Sequence, residues 1–342
     1  MPVTEVSNPD YEFADVVASR KVALDEMART RARLRPLTAT LRGVFGASRA
    51  LGLEYALFRR FARPMVRMFD TAIDQAFGDY APQGSDVFVC SYFKSGTNWA
   101  MHTAYQVAER GAGDFEDMLD VAPWVDCPEQ RTTVQLRDPR PLARSRTGHR
   151  VIKTHARAQF VPYNPQAKHI AVVRDPKEVV VSGYHFFGSM LFGSLMPSVE
   201  TWVRHCTSEE AFFHPWPEFT AGYWAWRERP NVLFLTYNEM LDDPVGVIRR
   251  IAGLMQVDLG EDEIARVREL TGFEHMKRID HKFYPGEVSP FARPGGQMIR
   301  SGKRGNSGEL LSLDQQRRID DWCREGLRRL GSDFPYDRMF GA

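Results

Sequence analysis

The stretch SYFKSGTNW (residues 91–99) follows directly on the apolar run VFVC. A phosphate-binding loop usually reads G-x-x-x-x-G-K-[ST], with glycine first and the lysine–hydroxyl pair last. In this stretch Lys94 and Ser95 come before Gly96 and Thr97. The residue types are therefore those of a phosphate loop, in an order that suits a ligand other than the usual nucleoside triphosphate.

The chemistry of this loop favours an anion. A strand that turns through residues 95–97 into a helix leaves free backbone N–H groups at the helix N-terminus, where the helix dipole attracts negative charge. Gly96 lets the backbone approach a phosphate closely, and Thr97 and Asn98 can donate from their side chains. Lys94 adds a full positive charge. We therefore predict an anion site at the end of the strand.

Four apolar runs rich in β-branched residues predict the fold. They are DVFVCSY (86–92), HRVIKTH (149–155), HIAVVRD (169–175) and NVLFLTY (231–237). Runs of this kind are typical of strands that are buried on both faces of a parallel sheet. Helical segments separate several of them, and strands that alternate with helices indicate a three-layer α/β domain. We expect residues 81–342 to form this domain, with a central, mainly parallel β-sheet flanked by helices.

Residues 1–80 differ in composition from the rest of the chain. Arginine is frequent between Arg29 and Arg67, and Glu54 is the only acid in that interval. Apolar residues recur at every fourth position, as in an amphipathic helix, at Leu53, Leu57, Phe61, Met65 and Phe69. We interpret residues 1–80 as an Arg-rich helical extension that packs on the main domain. A helix that lies on an anionic membrane surface is the alternative, because basic amphipathic helices suit such surfaces.

Composition limits the function classes. The 342-residue chain is 43% hydrophobic and 26% charged, with a net charge of +1, so no global attraction to nucleic acid is expected. The N-terminus has no signal-peptide pattern, and no apolar run is long enough to span a bilayer. Four separated cysteines form no CxxC pair, which argues against zinc and disulfides: Cys90, Cys127, Cys206 and Cys323. We expect a cytoplasmic protein with no metal and no nucleic-acid partner.

Polar residues follow each predicted strand at its carboxyl end. After the loop at Lys94, the second strand ends at Lys153 and His155, the third at Arg174 and the fourth at Tyr237. In open α/β sheets, ligands bind outside the carboxyl ends of the strands, so we expect one site built from all four pieces. Lys153 and His155 lie two apart, which directs both side chains to one face of the strand. A lone histidine is usually structural, but beside a lysine and a phosphate loop His155 is a candidate general base.

The stretch RDPKEVVVS (174–182) has the pattern of a helix start. Asp175 is a good N-cap, Pro176 suits the first helical position, and Glu178 predicts a capping box. Arg174 stands just before this start, where an arginine can clamp a phosphate with two hydrogen bonds. A Gly- and Arg-rich stretch nearer the C-terminus, MIRSGKRGNSGE, could fold over a polyanion as a lid.

Together these motifs resemble those of the cytosolic-type sulfotransferases, and we expect a bacterial member of that family. YFKSGTNW is similar to the family's 5′-phosphosulfate loop, usually Y-P-K-S-G-T-T-W. VIKTH is similar to the strand that carries the catalytic histidine, and VVRDPKEVVVSGYHFF to the 3′-phosphate segment. YNEMLDDP, TGFEHMK and RSGKRG are similar to the Tyr-Glu-Asp segment, the adenine contact and the C-terminal Arg-Lys-Gly loop. The resemblance covers residues 86 to about 310.

The resemblance implies a P-loop-like fold, 3′-phosphoadenosine 5′-phosphosulfate (PAPS) as sulfuryl donor, 3′-phosphoadenosine 5′-phosphate (PAP) as product, and no metal. It implies three catalytic residues, His155 as general base, Lys94 at the bridging oxygen and Lys153 at the sulfuryl oxygens. The donor-binding residues that match the family's motifs are Lys94, Ser95, Gly96, Thr97, Asn98, Trp99, Arg174, Ser182, Tyr237, Thr271, Phe273, Arg300, Ser301 and Gly302.

Within this set, the resemblance assigns Arg174, Ser182 and Arg300 to the 3′-phosphate and places adenine between Trp99 and Phe273. Four positions depart from the family's pattern, and they are Phe93, Asn98, Gly272 and Ser301. Proline, threonine, serine and lysine, respectively, are usual there. The amide that replaces threonine keeps a polar donor, so we expect phosphate binding to survive, while the contacts of the C-terminal loop stay open.

The acceptor is less determined than the donor. VAPWVD (121–126) resembles the family's substrate loop, and the candidate wall residues are Trp124, Phe160, Phe186, Phe187 and Trp216. Small-molecule sites are usually apolar with few polar groups, so we expect a small hydrophobic alcohol, phenol or amine as acceptor. The family's Lys-Thr-Val-Glu dimer motif is not recognisable, which leaves both a monomer and a homodimer open.

Three other functions are compatible with parts of the sequence. A P-loop-type small-molecule kinase shares the architecture, but it would need the usual loop order and a magnesium carboxylate. A non-catalytic nucleotide-binding protein would not need Lys94, Lys153 and His155 together. A sulfotransferase of a secretory compartment would carry a signal anchor, which the sequence lacks.

Overall fold

The computed structural model describes residues 15–284, 286, 289–293 and 295–341, so residues 1–14 of the expected extension lie outside the described part. In the described part, the strands are β1 (Asp86–Ser91), β2 (Arg150–Thr154), β3 (Lys168–Val173) and β4 (Val232–Thr236). The α-helices are α1 (Val16–Ala50), α2 (Glu54–Gln75), α3 (Thr97–Ala108), α4 (Arg140–Arg144), α5 (Pro176–Met190), α6 (Val199–Cys206), α7 (Trp216–Trp224), α8 (Tyr237–Asp242), α9 (Pro244–Met255), α10 (Glu261–Leu270), α11 (Phe273–Arg278), α12 (Leu313–Arg329) and α13 (Tyr336–Phe340). Short 3₁₀ helices are Met118–Asp120, Gln130–Thr132, Ala158–Phe160, Gly193–Leu195, Asp280–Phe283 and Ser307–Glu309.

The four strands form one parallel sheet in the order β2-β1-β3-β4. Val89 of β1 pairs with Lys153 of β2 on one side and with Ile170 of β3 on the other. Every residue of β1 and β2 is buried, as the continuous apolar runs predict. The prediction of an α/β fold around a parallel sheet is confirmed.

Side chains of the sheet alternate between two hydrophobic layers. Phe88 and Cys90 of β1 belong to one buried cluster, whereas Val87 and Val89 belong to another. The first cluster includes residues of α2, α5, α6, α7 and α12, and the second includes residues of α3, α9 and α10. Helices therefore cover both faces of the sheet, which gives the expected three layers.

The strand order places the loop after β1 at a crevice. The chain leaves β1, forms β2 on one side of it, and then forms β3 on its other side. Such a reversal of direction at the carboxyl end of a central strand is where open α/β sheets bind ligands. The topology therefore brings the loop at residues 92–96 next to the ends of β2 and β3.

Helix α2 packs one face into the core. Its buried residues are Glu54, Phe58, Ala62, Val66, Phe69 and Ile73. The predicted stripe is only partly right, because Leu57, Phe61 and Met65 lie at the margin of this face and Leu53, before the helix, is 57% exposed. An α-helix has 3.6 residues per turn, so a strict four-residue spacing drifts away from the buried face.

Helix α1 is also held against the rest of the protein. Near its start, a guanidinium nitrogen of Arg20 lies 2.9 Å from a carboxylate oxygen of Asp117, and Nε donates to the carbonyl of Thr132 at 3.0 Å. Near its end, Phe45 packs against Phe61 of α2, with ring centroids 5.4 Å apart. Both helices thus contact other described parts of the chain, and the role of residues 1–80 stays a prediction. Within the described ranges, no helix combines the length and apolarity needed to cross a membrane.

Candidate active site

The loop after β1 has a strained, specific backbone. Lys94 and Gly96 are in the left-handed region, with φ of 60° and 93°. Gly96 precedes α3, which begins at Thr97, and a Cβ at Gly96 would lie 2.9 Å from the ring of Tyr237. Both the angle and the close approach therefore require glycine. The first N–H groups of α3 have no partner within the helix and are available to an anion in front of the loop.

The hydroxyl groups of the loop are arranged for an acceptor that the described residues do not supply. Ser91 Oγ donates to Thr97 Oγ1 at 2.7 Å, which leaves the Thr97 hydroxyl hydrogen for another group. Ser95 Oγ is buried and has no hydrogen-bond partner among the described residues. Buried polar groups are normally paired, so the loop fits an oxyanion such as the phosphosulfate of PAPS. Ser95 itself is not among the residues that line the cavity described next, and its contact with the donor stays a prediction.

A cavity of about 480 Å³ lies in front of this loop, at the carboxyl ends of the strands. It brings together the three predicted catalytic residues and most of the predicted donor residues. Those that line it are Lys94, Gly96, Thr97, Asn98, Trp99, Lys153, His155, Arg174, Ser182, Tyr237, Thr271, Phe273, Arg300, Ser301 and Gly302. Of the predicted acceptor residues, Trp124, Phe186 and Phe187 also line it.

His155 is held in one tautomer. Its Nδ1 lies 2.8 Å from the carbonyl oxygen of Ser91, and since a carbonyl can only accept, Nδ1 carries the proton. The backbone N–H of His155 donates to Asp126 Oδ2 at 2.6 Å, which fixes the position of the residue. Burial, followed by the charge of Lys153, lowers the pKa of His155 to about 3. The ring is therefore neutral at pH 7, with a lone pair on Nε2.

The two site lysines lie over aromatic rings. Nζ of Lys94 is 4.2 Å from the ring centroid of Phe186, and Nζ of Lys153 is 3.6 Å from that of Trp124. Burial, followed by the charges of Arg174 and Lys153, lowers the pKa of Lys94 to about 7. Burial likewise lowers the pKa of Lys153 to about 8. Cations that repel one another around a cavity favour the binding of a polyanion there.

Arg174 is oriented by three contacts. Its Nε donates to Glu178 Oε2 at 2.8 Å, Nη2 donates to the carbonyl of Lys303 at 3.0 Å, and the guanidinium carbon lies 4.2 Å from the ring centroid of Tyr237. Its own carbonyl accepts from the indole N–H of Trp216 at 3.0 Å. The guanidinium is thus fixed at the head of α5, where it also lines the cavity.

The start of α5 is as predicted except for one contact. Asp175 is the N-cap and accepts from the backbone N–H of Lys177 at 2.9 Å, and Pro176 takes the first helical position. The expected capping box is wrong. The carboxylate of Glu178 instead binds Arg174 and the backbone N–H of Gly305, so a residue near the C-terminus takes the place of the helix's own N-cap.

One face of α5 lines the cavity. Ser182, His185, Phe186 and Ser189 lie at i, i+3, i+4 and i+7, the spacing of a single helix face, and all four line the cavity. The sequence interpretation did not include His185 and Ser189. Counting helical positions forward from Ser182 would have identified both.

Residues 295–302 line the cavity from the side of the predicted lid. Asp280 holds this segment, because its carboxylate accepts from the backbone N–H groups of Met298 at 3.2 Å and Ile299 at 2.7 Å. Lys277 donates to the carbonyl of Ile299 from the same side. The segment is therefore tied to the 3₁₀ turn after α11.

Arg300 and Gly302 occupy the end of this segment. Arg300 pairs with Glu309 at 3.0 Å while it lines the cavity, so a bound phosphate would compete with Glu309 for the guanidinium. A Cβ at Gly302, whose φ is 62°, would lie 2.3 Å from the ring of Phe273. Glycine is therefore needed where the segment crosses that ring.

The predicted adenine residues lie together on the cavity wall. The rings of Trp99 and Tyr237 meet edge to face, with centroids 5.8 Å apart. Phe273 is 40% exposed, which is unusual for a large apolar ring and leaves its surface free for a ligand. Thr271 is buried, and its hydroxyl donates to the carbonyl of Val267 at 2.8 Å.

Two predicted aromatic residues do not line the cavity, which corrects those expectations. The ring of Phe160 packs against Arg157, at 4.9 Å from ring centroid to guanidinium carbon, and against the ring of His214. Trp216 is buried beneath the head of α5. Both rings are used for packing, and sequence alone does not separate a packed aromatic from one that faces a ligand.

The structure also adds apolar wall residues that the sequence interpretation missed. Within the described part of the chain they include Phe69 of α2, Phe93, Leu191 and Phe213. Phe69 had been identified as part of an amphipathic stripe, but nothing local in the sequence connects α2 with the cavity. No group of three or more His, Cys, Asp or Glu side chains that could hold a metal is present among the residues described.

Fold and site together define an α/β protein whose cavity places lysine and arginine side chains around a neutral histidine. A sequence model of the sulfotransferase domain family matches residues 84–331. The luciferin sulfotransferase of Photinus pyralis is 29% identical over 284 residues, which are 73% of either chain. The amine sulfotransferase of Oryctolagus cuniculus is 26% identical over 284 residues, covering 80% of this chain and 89% of that protein.

Solved structures show the same fold. Retinol dehydratase, in complex with androsterone and PAP, superposes with a TM-score of 0.62 at 22% identity and covers 80% of this chain and 88% of its own. Mouse sulfotransferase SULT7A1, in complex with PAP, gives a TM-score of 0.58 at 21% identity over 77% of this chain and 91% of its own. The chain belongs to the sulfotransferase family, and it is a PAPS-dependent sulfotransferase.

Proposed function

We propose that this sulfotransferase acts on a hydroxyl or amine of a small, apolar acceptor, with His155 as general base. The observation that carries the proposal is the hydrogen bond between His155 Nδ1 and the Ser91 carbonyl, because it leaves Nε2 unprotonated on the cavity wall. Lys94 and Lys153 line the same cavity, and their charges help to lower the pKa of His155. The proposed base and the two lysines that would stabilise the negative charge on the leaving group thus line one cavity.

The residues divide the reaction among them. Bound PAPS supplies the sulfuryl group, whose bond to the bridging phosphate oxygen breaks as the acceptor oxygen or nitrogen attacks sulfur in line. Nε2 of His155 takes the acceptor proton, which typically contributes about 10²–10⁴-fold. Lys94 neutralises the charge that develops on the bridging oxygen, and Lys153 holds the sulfuryl oxygens. The negative charge of the donor offsets the repulsion between the lysines and His155, which makes His155 a stronger base in the complex than in the free protein.

From the reacting centre at His155, the bound donor would extend along the wall of the cavity. We assign the 5′-phosphosulfate to residues 94–98 and the 3′-phosphate to Arg174, Ser182 and the segment 300–302. Adenine would lie between Trp99 and Phe273, which both line the cavity. The exposed ring of Phe273 and the fixed fork of Arg174 support this direction.

The acceptor would lie on the other side of His155. Trp124, whose ring is 5.7 Å from that of His155, and Phe186 and Phe187 of α5 supply apolar surface there. Luciferin and amine sulfotransferases are among the relatives, and retinol dehydratase was solved with androsterone. These names support an apolar alcohol, phenol or amine as the acceptor, and they do not distinguish between these three classes.

The decisive experiment measures transfer of labelled sulfate from PAPS to a panel of phenols, sterols, lipid alcohols, amines and sugars. We expect turnover with at least one apolar acceptor and none with simple sugars. Turnover with sugars alone would contradict the apolar acceptor. Addition of EDTA should leave the rate unchanged, since no metal is proposed in the mechanism, and a loss of rate that Mg²⁺ restores would contradict that part.

Location and assembly stay predictions. A cytoplasmic protein is supported by four cysteines that form no disulfide, three of them buried. A monomer and a homodimer both remain open, and sedimentation analysis separates them. Contact of the N-terminal helices with a membrane is the less favoured alternative, and flotation with anionic liposomes at low salt tests it.

A further inference from the structure

The apolar end of the cavity is built from parts of the chain that play no role in donor binding. Phe69 comes from α2, Phe93 from the loop after β1, Leu191 from the end of α5, and Phe213 from the turn before α7. An inference about this end rests on the proposed function, because it concerns the acceptor of the same reaction.

Phe213 is the residue that joins this end to the base. Its ring lies 5.0 Å from that of His155 in an edge-to-face contact, and it stacks on Phe93 at 5.1 Å. Beyond it, the ring of Phe69 lies 4.6 Å away. The series His155, Phe213 and Phe69 therefore leads from the reacting centre to the N-terminal helix α2.

The turn that carries Phe213 has an energetically unfavourable backbone conformation. Phe213 and His214 both have positive φ, 60° and 66°, which side chains other than glycine rarely adopt. One hydrogen bond holds the turn: the hydroxyl of Tyr92 donates to the carbonyl of His214 at 2.9 Å. Strained residues of this kind collect at ligand sites, where the surroundings hold them in place. Here the result of the strain is the position of the Phe213 ring.

Helix α2 is anchored strongly enough to serve as a wall. The carboxylate of Glu54 at its start accepts from the backbone N–H of Ser198 at 3.0 Å and from the hydroxyl of Thr201 at 2.8 Å. Farther along, Arg59 forms two hydrogen bonds to Glu210 at the surface, at 2.6 and 2.7 Å, and this exposed pair adds little to the anchoring. Phe69 therefore faces the cavity from a fixed position.

Charge is absent from this end among the described wall residues. The charged or titratable residues that line the cavity are Lys94, Lys153, His155, Arg174, His185, Tyr237 and Arg300, and none of them belongs to the apolar set at this end. Asp70 and His214 adjoin Phe69 and Phe213 in sequence but do not line the cavity. An acceptor with a charge far from its hydroxyl would leave that charge unpaired, which is costly in an apolar compartment.

We propose that Phe213 forms the wall of the acceptor compartment next to the base and that Phe69, beyond it, forms the end wall that sets the length of the acceptor. The acceptors that fit are uncharged and flat, with aromatic or fused rings that meet these two side chains while the hydroxyl reaches His155. The N-terminal helical segment is then a specificity-determining part of the enzyme.

The test compares kcat/KM for 2-naphthol, a two-ring phenol, with kcat/KM for a four-ring sterol, at saturating PAPS. Phe69→Ala should shift the ratio at least about tenfold towards the sterol, since a pocket change of this size is worth one to two orders of magnitude. Phe69→Trp should shift it the other way. Phe213→Leu should also favour the longer acceptor. The KM for PAPS should stay within about twofold in all three variants.

Phe61→Ala is the matched control, because Phe61 lies on the same helix and packs on Phe45, Phe192 and Phe291 without lining the cavity. Its acceptor ratio should equal that of the wild type. If Phe69→Ala does not fold, Phe69→Leu replaces it and should shift the ratio in the same direction. An unchanged ratio in the Phe69 variants of an active enzyme overturns this inference alone. Absence of transfer to any apolar acceptor by the wild type overturns the proposed function as well.

Discussion

Ser91 and His155 are linked by a 2.8 Å hydrogen bond in which the carbonyl at the end of β1 accepts from the ring at the end of β2. The hydroxyl of the same serine donates to Thr97 in the donor loop. One residue of the central strand thus fixes the tautomer of the proposed base and orients a hydroxyl of the phosphate loop. The parallel pairing of β1 with β2 makes this possible, because it brings both strand ends to the same edge.

Replacement of His155 should remove the base and spare the donor site. In His155→Asn the side-chain amide can still donate to the Ser91 carbonyl, but it has no lone pair that accepts a proton at neutral pH. We expect kcat to fall about 10²–10⁴-fold, with the affinity for PAP within about twofold of wild type. Single-turnover kinetics and calorimetry measure the two quantities. Near-normal kcat would exclude His155 as the base, and His281→Ala, at an exposed site, is the control.

Donor affinity should decrease as the pH rises from 7 to 9. Burial and neighbouring charge lower the pKa of Lys94 to about 7 and that of Lys153 to about 8 in the free protein. A bound anion favours the charged forms, so binding raises both pKa values and takes up protons. Affinity is therefore greatest below the free-protein values and is lost as the pH rises through them. The phosphates of PAP have second pKa values of about 6, and their remaining ionisation above pH 7 would strengthen binding, so it cannot cause this decrease.

Calorimetry with PAP in buffers of different ionisation enthalpy measures both the affinity and the proton uptake. Lys94→Met should weaken binding at pH 7 and flatten the pH dependence between 7 and 9. Lys21→Met, at an exposed position on α1, should change neither. A dissociation constant that is independent of pH in the wild type would contradict the assignment of Lys94 and Lys153 to the anion site.

Arg174 should make the donor site selective for nucleotides that carry a 3′-phosphate. Its guanidinium is fixed by Glu178 and by the carbonyl of Lys303, so it presents a planar fork that lysine cannot reproduce. Arg174→Lys should weaken PAP binding about tenfold and change the binding of adenosine 5′-phosphate, which has no 3′-phosphate, much less. Equal losses for both nucleotides would contradict the assignment. Arg318→Lys, in an exposed pair with Glu200, is the control.

The parts of the site that sequence predicted are those fixed by local geometry. Gly96 is favoured by its positive φ in the turn before α3, and Asp175 with Pro176 starts α5 by short-range contacts. Such requirements leave a readable pattern within a few residues. The continuous apolar strands are a pattern of the same kind, and together with the loop they suffice to place the crevice.

The parts that sequence did not predict depend on contacts between distant segments. Glu178 does not form the expected capping box, because its carboxylate accepts a hydrogen bond from the backbone N–H of Gly305, 127 residues away. Phe69 belongs to a helix that any globular protein could pack in its core, and only the fold shows that it meets Phe213. Phe160 is an aromatic residue of the kind that often lines an apolar pocket, but its ring packs against that of His214. Periodicity shows which face of a helix is buried, but it does not show which other segment of the chain that face packs against.

Glu54 should contribute to stability in a pH-dependent way. Burial opposes its ionisation, but hydrogen bonds from Ser198, Arg49 and Thr201 outweigh burial and lower the pKa of Glu54. Because the pKa is lower in the folded than in the unfolded protein, the stabilisation is present at neutral pH. It is lost as the pH falls through the folded-state value.

Glu54→Gln should therefore reduce the free energy of unfolding by about 1–3 kcal/mol at pH 7, since the buried donors lose a charged acceptor. Thermal unfolding followed by circular dichroism should show a lower Tm for the variant at pH 7 and a smaller difference near pH 4. Glu210→Gln removes an exposed ion pair of the same helix with Arg59 and should have a much smaller effect, because exposed pairs contribute little. Equal effects of the two substitutions would show that the buried carboxylate does not anchor α2. The end wall that Phe69 provides would then need another support.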